Sequence, residues 1–468
     1  MTSPSTVRYI STRGQAPVLG FRDTLLAGLA SDGGLYAPEE WPQVAHVDHG
    51  ASFASRAAEI MAPFVGDEIP RSTLLGLCSD AYATFRDPLV APLREIGERR
   101  WLLELFHGPT LAFKDVALQL VGRLFDHVLT ARDESITVVG ATSGDTGSAA
   151  IDGVKACKNV SMVILYPKGR ISEVQRRQMT TVVAPNVHTV AVDGTFDDCQ
   201  DLVKAMFNDS AFREKHRLSA VNSINWARVL AQVVYYFTAI EQLQSTDASP
   251  VSFSVPTGNF GNVLSGWIAR RIGANVGHLI VGSNANDILT RFFETQRMTT
   301  AEVRPTLSPS MDIQVSSNFE RLLFEMNRRD GAATAAQIGL FRTSGTMSVT
   351  AEQFGEWIRP VFRGHRCTDD ETVATIASLY KESGVLVDPH TAVGLAATHA
   401  CANDDESVVT LATAHPSKFA DAVERATGVR PALPDHLADL FDRPEHTTAL
   451  PNDLGSIQRF VASVSAAR

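Results

Sequence analysis

Residues 135–156 read SITVVGATSGDTGSAAIDGVKA, and this stretch decides the fold class. Its first five residues are mostly β-branched and predict a strand, whereas residues 146–156 predict a helix. The connecting residues 140–147 contain three glycines and three hydroxyl side chains, which is typical of a tight turn from a strand into a helix. A strand followed directly by a helix is the repeating unit of a parallel sheet, so we predict an α/β fold.

The same alternation of strands and helices continues on both sides of this stretch. Further strands of this pattern are predicted at 101–105, 161–166, 187–192, 251–255, 278–282 and 408–413, and a separate strand at 7–11 opens the chain. Further helices are predicted at 114–129, 173–180, 197–207, 263–272 and from near 416. This pattern predicts two parallel-sheet lobes, each with helices on both faces of its sheet.

The chain has 468 residues, which is too long for one compact core, so several lobes are expected. We predict an N-terminal lobe at 1–95, which ends near two prolines where the pattern changes. The two α/β lobes follow at 96–430, with an insertion at about 284–345 that is rich in Thr, Ser and Pro. Four prolines predict that the last segment, 431–468, wraps over the surface.

Composition and charge exclude several classes of protein. The formal net charge is −10 and no basic stripe occurs, which argues against binding nucleic acid or an anionic membrane. The five cysteines lie far apart without a C-x-x-C pair, which argues against a disulfide framework and against a metal site built on thiolates. The N-terminus lacks the apolar region of a signal peptide, and no stretch is long and apolar enough to span a membrane. We therefore expect a cytoplasmic protein.

A lysine stands at the opening turn of a predicted helix, in the motif HGPTLAFKD at 107–115. In sheets of this kind, ligands bind beyond the carboxyl ends of the strands, where this motif lies. The positive end of the helix dipole, together with partial burial, lowers the pKa of an amine at this position. Lys114 could then be the neutral nucleophile that forms a Schiff base with an aldehyde cofactor. Taken alone, the motif is better explained by a solvated surface lysine.

Two further strand ends carry motifs suited to anions. In GATSGDTG at 140–147, the hydroxyls of Thr142, Ser143 and Thr146 and the backbone N–H groups would converge on one small anion. In PTGNFGN at 256–262, two glycines and two asparagines predict a phosphate-binding loop. Neither motif is the G-x-G-x-x-G of dinucleotide sites or the lysine-containing loop of nucleoside triphosphatases. The alternative for each is a turn with a helix cap.

A fourth strand end reads TLATAHPSKF at 410–419. Thr413 is the last residue of the predicted strand. Its hydroxyl could cap the following helix, or it could contact a ring nitrogen of a bound cofactor.

Taken together, the four motifs resemble the threonine synthases, which are fold type II enzymes dependent on pyridoxal 5'-phosphate (PLP). The motifs are HGPTLAFKD (107–115), GATSGDTGSAA (140–150), VPTGNFGN (255–262) and LATAHPSKF (411–419). The connecting segments resemble the longer bacterial and fungal subgroup, and these are STRG (11–14), GLASDGGLYAPE (28–39), FDDCQDLV (196–203), NSINWARVLAQ (222–232) and SPSMDIQVSSNFERLLFE (308–325). The resemblance covers nearly the whole chain in the same order.

The resemblance implies a set of site residues. Lys114 would form the Schiff base with PLP, and Thr413 would face the pyridine nitrogen. The loop that binds the PLP phosphate would consist of Gly258, Asn259, Phe260, Gly261 and Asn262. The loop that binds the substrate carboxylate would use Thr142, Ser143 and Thr146. Asp145 stands where many fold type II relatives carry an asparagine near the 3-oxygen of PLP, so either it is protonated or its role differs.

The resemblance also implies the reaction. A threonine synthase is a carbon–oxygen lyase of threonine biosynthesis that converts O-phospho-L-homoserine and water to L-threonine and phosphate through β,γ-elimination and replacement. Lys114 would carry the α-proton. The substrate phosphate needs cations, for which Arg170 is our first candidate. Further candidates are His107, Lys168, Arg176, Arg177, Arg228 and Lys418.

Three alternatives remain open on sequence grounds. A threonine-synthase-like phospho-lyase would release 2-oxobutyrate and phosphate from the same substrate. A serine/threonine dehydratase is disfavoured by the N-terminal lobe and by residues 308–321. A non-catalytic scaffold of the same fold is disfavoured because Lys114 is present. In every case we expect a small-molecule ligand, no nucleic acid and no membrane, and a monomer or homodimer.

Overall fold

The structure is a computed structural model that describes residues 7–44, 50–220, 222–243 and 249–465. The described strands are β1 (Tyr9–Ser11), β2 (Tyr36–Pro38), β3 (Leu93–Gly97), β4 (Arg100–Glu104), β5 (Ile136–Ala141), β6 (Val160–Pro167), β7 (Val187–Asp193), β8 (Leu218–Ser219), β9 (Val251–Pro256), β10 (Val276–Ser283), β11 (Arg297–Thr299), β12 (Thr346–Ser348), β13 (Phe362–Arg366), β14 (Val408–Ala412) and β15 (Thr448–Pro451).

The described α-helices are α1 (Phe21–Ala27), α2 (Phe53–Val65), α3 (Arg71–Tyr82), α4 (Lys114–Arg132), α5 (Asp145–Val154), α6 (Glu173–Thr180), α7 (Phe196–Asn208), α8 (Ser210–Lys215), α9 (Trp226–Leu243), α10 (Gly261–Arg271), α11 (Ile288–Thr295), α12 (Phe319–Met326), α13 (Gly331–Ser344), α14 (Ala351–Gln353), α15 (Asp369–Ser383), α16 (Pro389–Cys401), α17 (Ala420–Thr427) and α18 (Leu454–Val464). Short 3₁₀ turns occur at Gly66–Glu68, Pro309–Met311, Pro416–Phe419 and Asp435–Leu437, and a π-turn at Phe354–Ile358. None of these described helices is long and apolar enough to cross a membrane.

Two sheets organise the chain. The larger has six strands in the order β13-β10-β9-β14-β4-β3, and all neighbours are parallel except β3, which pairs antiparallel with β4. The smaller is a wholly parallel sheet in the order β15-β7-β6-β5-β8. The predicted α/β fold with two parallel-sheet lobes is therefore confirmed.

The central strands read as continuous apolar runs because both of their faces are covered. Every residue of β9 is buried, and Phe253 and Val255 are completely inaccessible to solvent. The helix α9 is likewise buried along most of its length, because protein covers more than one side of it. A parallel strand between two helical layers has no polar face, so strict alternation of apolar and polar residues is not expected.

The N-terminal elements pack onto α9 and share its hydrophobic core. The Trp226 indole N–H donates to the Tyr9 hydroxyl at 3.1 Å, and that hydroxyl donates to the Phe64 carbonyl at 2.6 Å. The rings of Tyr9 and Trp226 lie 5.8 Å apart. In addition, β3 begins at Leu93 and belongs to the larger sheet. The boundary at residue 95 thus remains a prediction, and the core continues across it.

The segment at 284–345 and the C-terminal segment are more ordered than their composition suggests. Three helices, α11 to α13, lie within the former, and only 300–318 is largely irregular. In the latter, β15 extends the smaller sheet beside β7, and α18 buries Ile457 and Val461 in that lobe. The last segment therefore completes a sheet as well as covering surface. Prolines at its start obscure this in the sequence.

Candidate active site

The turn from β4 into α4 presents Lys114 at the first position of the helix. Asp115 fixes this turn, since it accepts hydrogen bonds from the Thr110 backbone N–H at 2.8 Å and from the Thr110 hydroxyl at 2.6 Å. The Phe113 N–H donates to the Thr413 carbonyl at 2.9 Å. The lysine turn and the strand end at Thr413 are therefore joined through the backbone.

Two lysines share one buried carboxylate beside this turn. The Lys114 Nζ lies 3.2 Å from Asp145 Oδ2, and the Lys418 Nζ lies 2.8 Å from Asp145 Oδ1. Lys418 also donates to the Thr110 carbonyl at 2.8 Å, and its side chain is completely buried. The Gln175 amide donates to Asp145 Oδ1 at 2.9 Å. Three of the four strand-end motifs thus meet at Asp145, and the exception is PTGNFGN (256–262).

Burial and charge shift the pKa values of this group in opposite directions. Burial alone would raise the pKa of the Asp145 carboxyl, but the ammonium groups of Lys114 and Lys418 lower it well below its usual value. Asp145 is therefore ionised at neutral pH. Burial lowers the pKa of Lys114; Asp145 opposes this shift, whereas Lys418 and Arg228 add to it. A lowered pKa increases the fraction of neutral, nucleophilic amine.

The loop between β5 and α5 is shaped by one of its own hydroxyls. The Thr142 hydroxyl oxygen accepts hydrogen bonds from the N–H groups of Gly144 at 3.0 Å and Gly147 at 2.9 Å, and Thr142 is buried. Ser143 and Thr146 are partly exposed. Their hydroxyls are therefore better placed than that of Thr142 to reach a ligand.

The glycine loop (258–262) joins β9 to α10 and holds a buried polar atom without a partner. Phe260 adopts a left-handed conformation with φ of 61° and is buried. The side-chain oxygen of Asn262, Oδ1, accepts hydrogen bonds from the hydroxyls of Tyr235 at 2.5 Å and Tyr236 at 3.0 Å. The amide nitrogen of Asn262 is buried and finds no acceptor among the described residues. A buried donor of this kind predicts a bound acceptor group.

A covering segment (308–318) packs against the back of the glycine loop. The Ser316 hydroxyl donates to the Gly258 carbonyl at 2.6 Å, and the backbone and side-chain N–H groups of Asn318 both donate to the Asn259 carbonyl at 3.1 Å. The carbonyl oxygens of the loop are thus occupied by protein. The N–H groups at the start of α10 are those that a helix leaves without internal partners, and they suit an anion.

A histidine that the sequence analysis did not identify connects the covering segment to Asp145. His390 Nδ1 donates to Asp388 at 2.7 Å, and His390 Nε2 accepts the Ser310 N–H at 3.3 Å. The Ser310 hydroxyl donates to Asp145 Oδ2 at 3.3 Å. The only signal in the sequence is the DPHT at 388–391, an aspartate cap followed by proline.

Thr413 is held by the same network. Its backbone N–H donates to the Thr391 hydroxyl oxygen at 3.3 Å, and the Thr391 hydroxyl in turn donates to Asp388. Thr413 is also buried. The hydrogen bond of its N–H group and this burial fix the backbone that carries its hydroxyl.

Arg228 lies in the first turn of α9 and is buried without a full set of partners. Its Nε and Nη1 atoms find no acceptor among the described residues, and burial lowers its pKa to about 10. Arg170, by contrast, is exposed after β6. The remaining candidate cations have carboxylate partners: Lys168 with Asp193, Arg176 and Arg177 with Glu445, His107 with Glu104, and Lys418 with Asp145.

Comparison with known proteins accounts for nearly the whole chain. Family models described as "Threonine synthase N terminus", "Pyridoxal-phosphate dependent enzyme" and "Threonine synthase, C-terminal" match residues 8–82, 86–338 and 391–461. A threonine synthase of Pseudomonas aeruginosa is 52% identical over 97% of this chain and 98% of its own. The crystal structure of PLP-bound threonine synthase from Brucella melitensis superimposes with a TM-score of 0.95 at 49% identity, over 98% of this chain and 100% of that chain. The yeast enzyme superimposes with a TM-score of 0.93 at 40% identity, over 99% of both chains.

Proposed function

The chain belongs to the threonine synthase family of PLP-dependent enzymes, and on that premise we propose that it converts O-phospho-L-homoserine and water to L-threonine and phosphate. The observation that carries the proposal is the buried Lys114 amine, whose Nζ lies 3.2 Å from the carboxylate of Asp145. Buried groups with shifted pKa values cluster at functional sites, because burying a charged group is costly in desolvation.

The described residues fit PLP. Lys114 would hold its aldehyde carbon, Thr413 would contact the pyridine nitrogen, and the glycine loop (258–262) would hold its phosphate. The unpartnered amide nitrogen of Asn262 supports the last assignment, because a phosphate oxygen would satisfy that donor. When bound, PLP supplies the electron sink for the carbanion chemistry of the substrate.

Lys114 would also move the α-proton of the substrate. Its amine, whose pKa is lowered by burial, would accept that proton in its neutral form and later return it to the same carbon. Ser143 and Thr146 are the hydroxyls best exposed to bind the amino-acid carboxylate, and Thr142 would support them by holding the loop. Asp145 is ionised, so its role would be to accept rather than to donate a hydrogen bond.

Arg228 is the strongest candidate for the substrate phosphate. A buried guanidinium with two unpartnered nitrogens is costly in the absence of an anion, and a phosphate oxygen would satisfy both. Arg170 remains a second candidate at the rim, where its exposure reduces the energy it could contribute.

We further propose that the protein acts in the cytoplasm as a monomer or homodimer and does not bind nucleic acid. The net charge of −10 and the five free cysteines support this proposal.

The function is tested by incubating the PLP-loaded protein with O-phospho-L-homoserine and following the products by NMR. We expect L-threonine and phosphate in equal amounts, and no product from Lys114→Ala. Formation of 2-oxobutyrate and phosphate would instead establish a phospho-lyase, and no turnover of the intact protein would contradict both activities.

A further inference from the structure

Lys418 stands out among the buried charged groups, because the mechanism above gives it no task. Its side chain is completely inaccessible, and its Nζ is 2.8 Å from both the Thr110 carbonyl and Asp145 Oδ1. The second oxygen of the same carboxylate lies 3.2 Å from the Lys114 Nζ. One buried negative charge therefore faces two ammonium groups.

A buried carboxylate requires a cation that stays charged, because an unpaired charge in the interior is strongly destabilising. Lys114 cannot remain the charged partner of this carboxylate throughout a reaction in which its amine has to be neutral. This reasoning rests on the role proposed for Lys114 above. Lys418 has no such conflict, since no step of the proposed reaction requires its neutral form and its Nζ lies against a carbonyl oxygen and a carboxylate oxygen.

We propose that Lys418 is the permanent counter-ion of Asp145 and thereby releases the Lys114 amine for chemistry. In this arrangement Lys418 is a positioning residue that acts through Asp145 and not a group that touches the reacting atoms. If Lys418 were absent, Lys114 would be left as the cation beside Asp145. The carboxylate would then hold the Lys114 amine in its protonated form.

The other charges around Lys114 do not replace Lys418. Arg228 of α9 adds positive charge near Lys114, and Asp115 of α4 is committed to the Thr110 turn. His390 of α16 also lowers the pKa of Asp145, but its two ring nitrogens are bonded to Asp388 and Ser310 and not to Asp145. Among the described residues, Lys418 is thus the cation besides Lys114 that contacts Asp145 directly.

The proposal is tested by measuring the titration of the Lys114 amine in the full chain after PLP has been removed. Trace acetic anhydride labels only neutral amines, and mass spectrometry gives the labelling of Lys114 relative to the exposed Lys204 as a function of pH. Four proteins are compared: the unaltered chain, Lys418→Gln, Asp145→Asn, and the double variant. Glutamine keeps a donor for the Thr110 carbonyl but removes the charge.

The charges predict an order for the four titration midpoints. Lys418→Gln leaves Asp145 alone beside Lys114 and should raise the midpoint by about one pH unit or more. Asp145→Asn leaves Lys418 alone and should lower it by a similar amount, whereas the double variant should return close to the unaltered chain.

Two comparisons can overturn the proposal independently. A midpoint in Lys418→Gln equal to that of the unaltered chain would do so, and so would equal midpoints in Asp145→Asn and the double variant. The second comparison remains available if Lys418→Gln does not fold, because the double variant has no unpaired buried carboxylate. The labelling does not require PLP, so failure of the proposed reaction would be detected separately, by the product analysis above.

Discussion

Gly258 lies directly against Ser310, such that a Cβ atom on Gly258 would come within 3.0 Å of the Ser310 carbonyl oxygen. It would also approach the Met311 Cα atom to 3.1 Å. Both neighbours are backbone atoms of the covering segment (308–318), which also reaches Asp145 through the Ser310 hydroxyl. The glycine loop and the carboxylate shared by the two lysines are therefore coupled through one short segment.

Gly258→Ala should weaken PLP binding without unfolding the protein. The added methyl group must displace backbone at the cost of about 1–3 kcal/mol, which corresponds to a rise in the Kd for PLP of about 5- to 150-fold. Equilibrium titration followed by PLP absorbance measures this. The matched control is Gly76→Ala in α3, where nothing lies within 4 Å of the new Cβ, and PLP affinity should not change. An unaltered Kd in Gly258→Ala would contradict the close packing.

Arg228→Gln should weaken substrate binding and stabilise the free protein. Loss of a charged hydrogen bond to the substrate phosphate should raise KM by about 10- to 100-fold. Removal of a buried, partly unpartnered guanidinium should raise the free energy of unfolding by about 1–3 kcal/mol without ligands, measured by urea titration.

Arg170→Ala provides the comparison for Arg228. Because the Arg170 side chain is exposed, its contribution should not exceed about 1 kcal/mol, or a KM increase of about fivefold. A larger increase in KM for Arg170→Ala than for Arg228→Gln would reverse the assignment of the phosphate site.

Asp115→Asn should change the pH dependence of stability. Burial raises the pKa of Asp115 to about 6, against hydrogen bonds from Thr110 that lower it. Between the unfolded value near 3.8 and this folded value, the folded state holds the extra proton, so stability declines as pH rises through that window. The unaltered chain should therefore lose about 3 kcal/mol relative to Asp115→Asn between pH 3.5 and pH 7. Urea unfolding of both PLP-free proteins at several pH values tests this, and a constant difference would refute it.

The sequence predicts well those features that depend on local pattern. The helices at Lys114 and at 173–180 begin where a motif or a serine cap sets their first turn, and the strands at 160–167 and 251–256 are apolar runs. The sequence does not predict the strand β13, because FRGHR is largely polar and lies at a sheet edge. Edge position is a property of the assembled sheet and leaves little trace in a short segment.

The candidate site likewise contains residues that the sequence identifies and residues that it does not. Lys114 and the glycine loop (258–262) could be identified from the sequence because each lies in a motif of consecutive residues. The convergence of Lys418, Gln175 and Ser310 on Asp145 could not, since these residues come from distant elements whose contact depends on the packed fold. The protonation of Asp145 likewise depends on two cations from different motifs.

The central claim is that Lys114, rather than its neighbour Lys418, holds PLP. Reduction of the PLP-loaded protein with borohydride fixes the cofactor to whichever lysine carries it, and peptide mass spectrometry identifies that lysine. We predict that the added mass is found on the peptide containing Lys114 and that Lys418 is unmodified. Modification of Lys418, or of any lysine other than Lys114, would contradict the account.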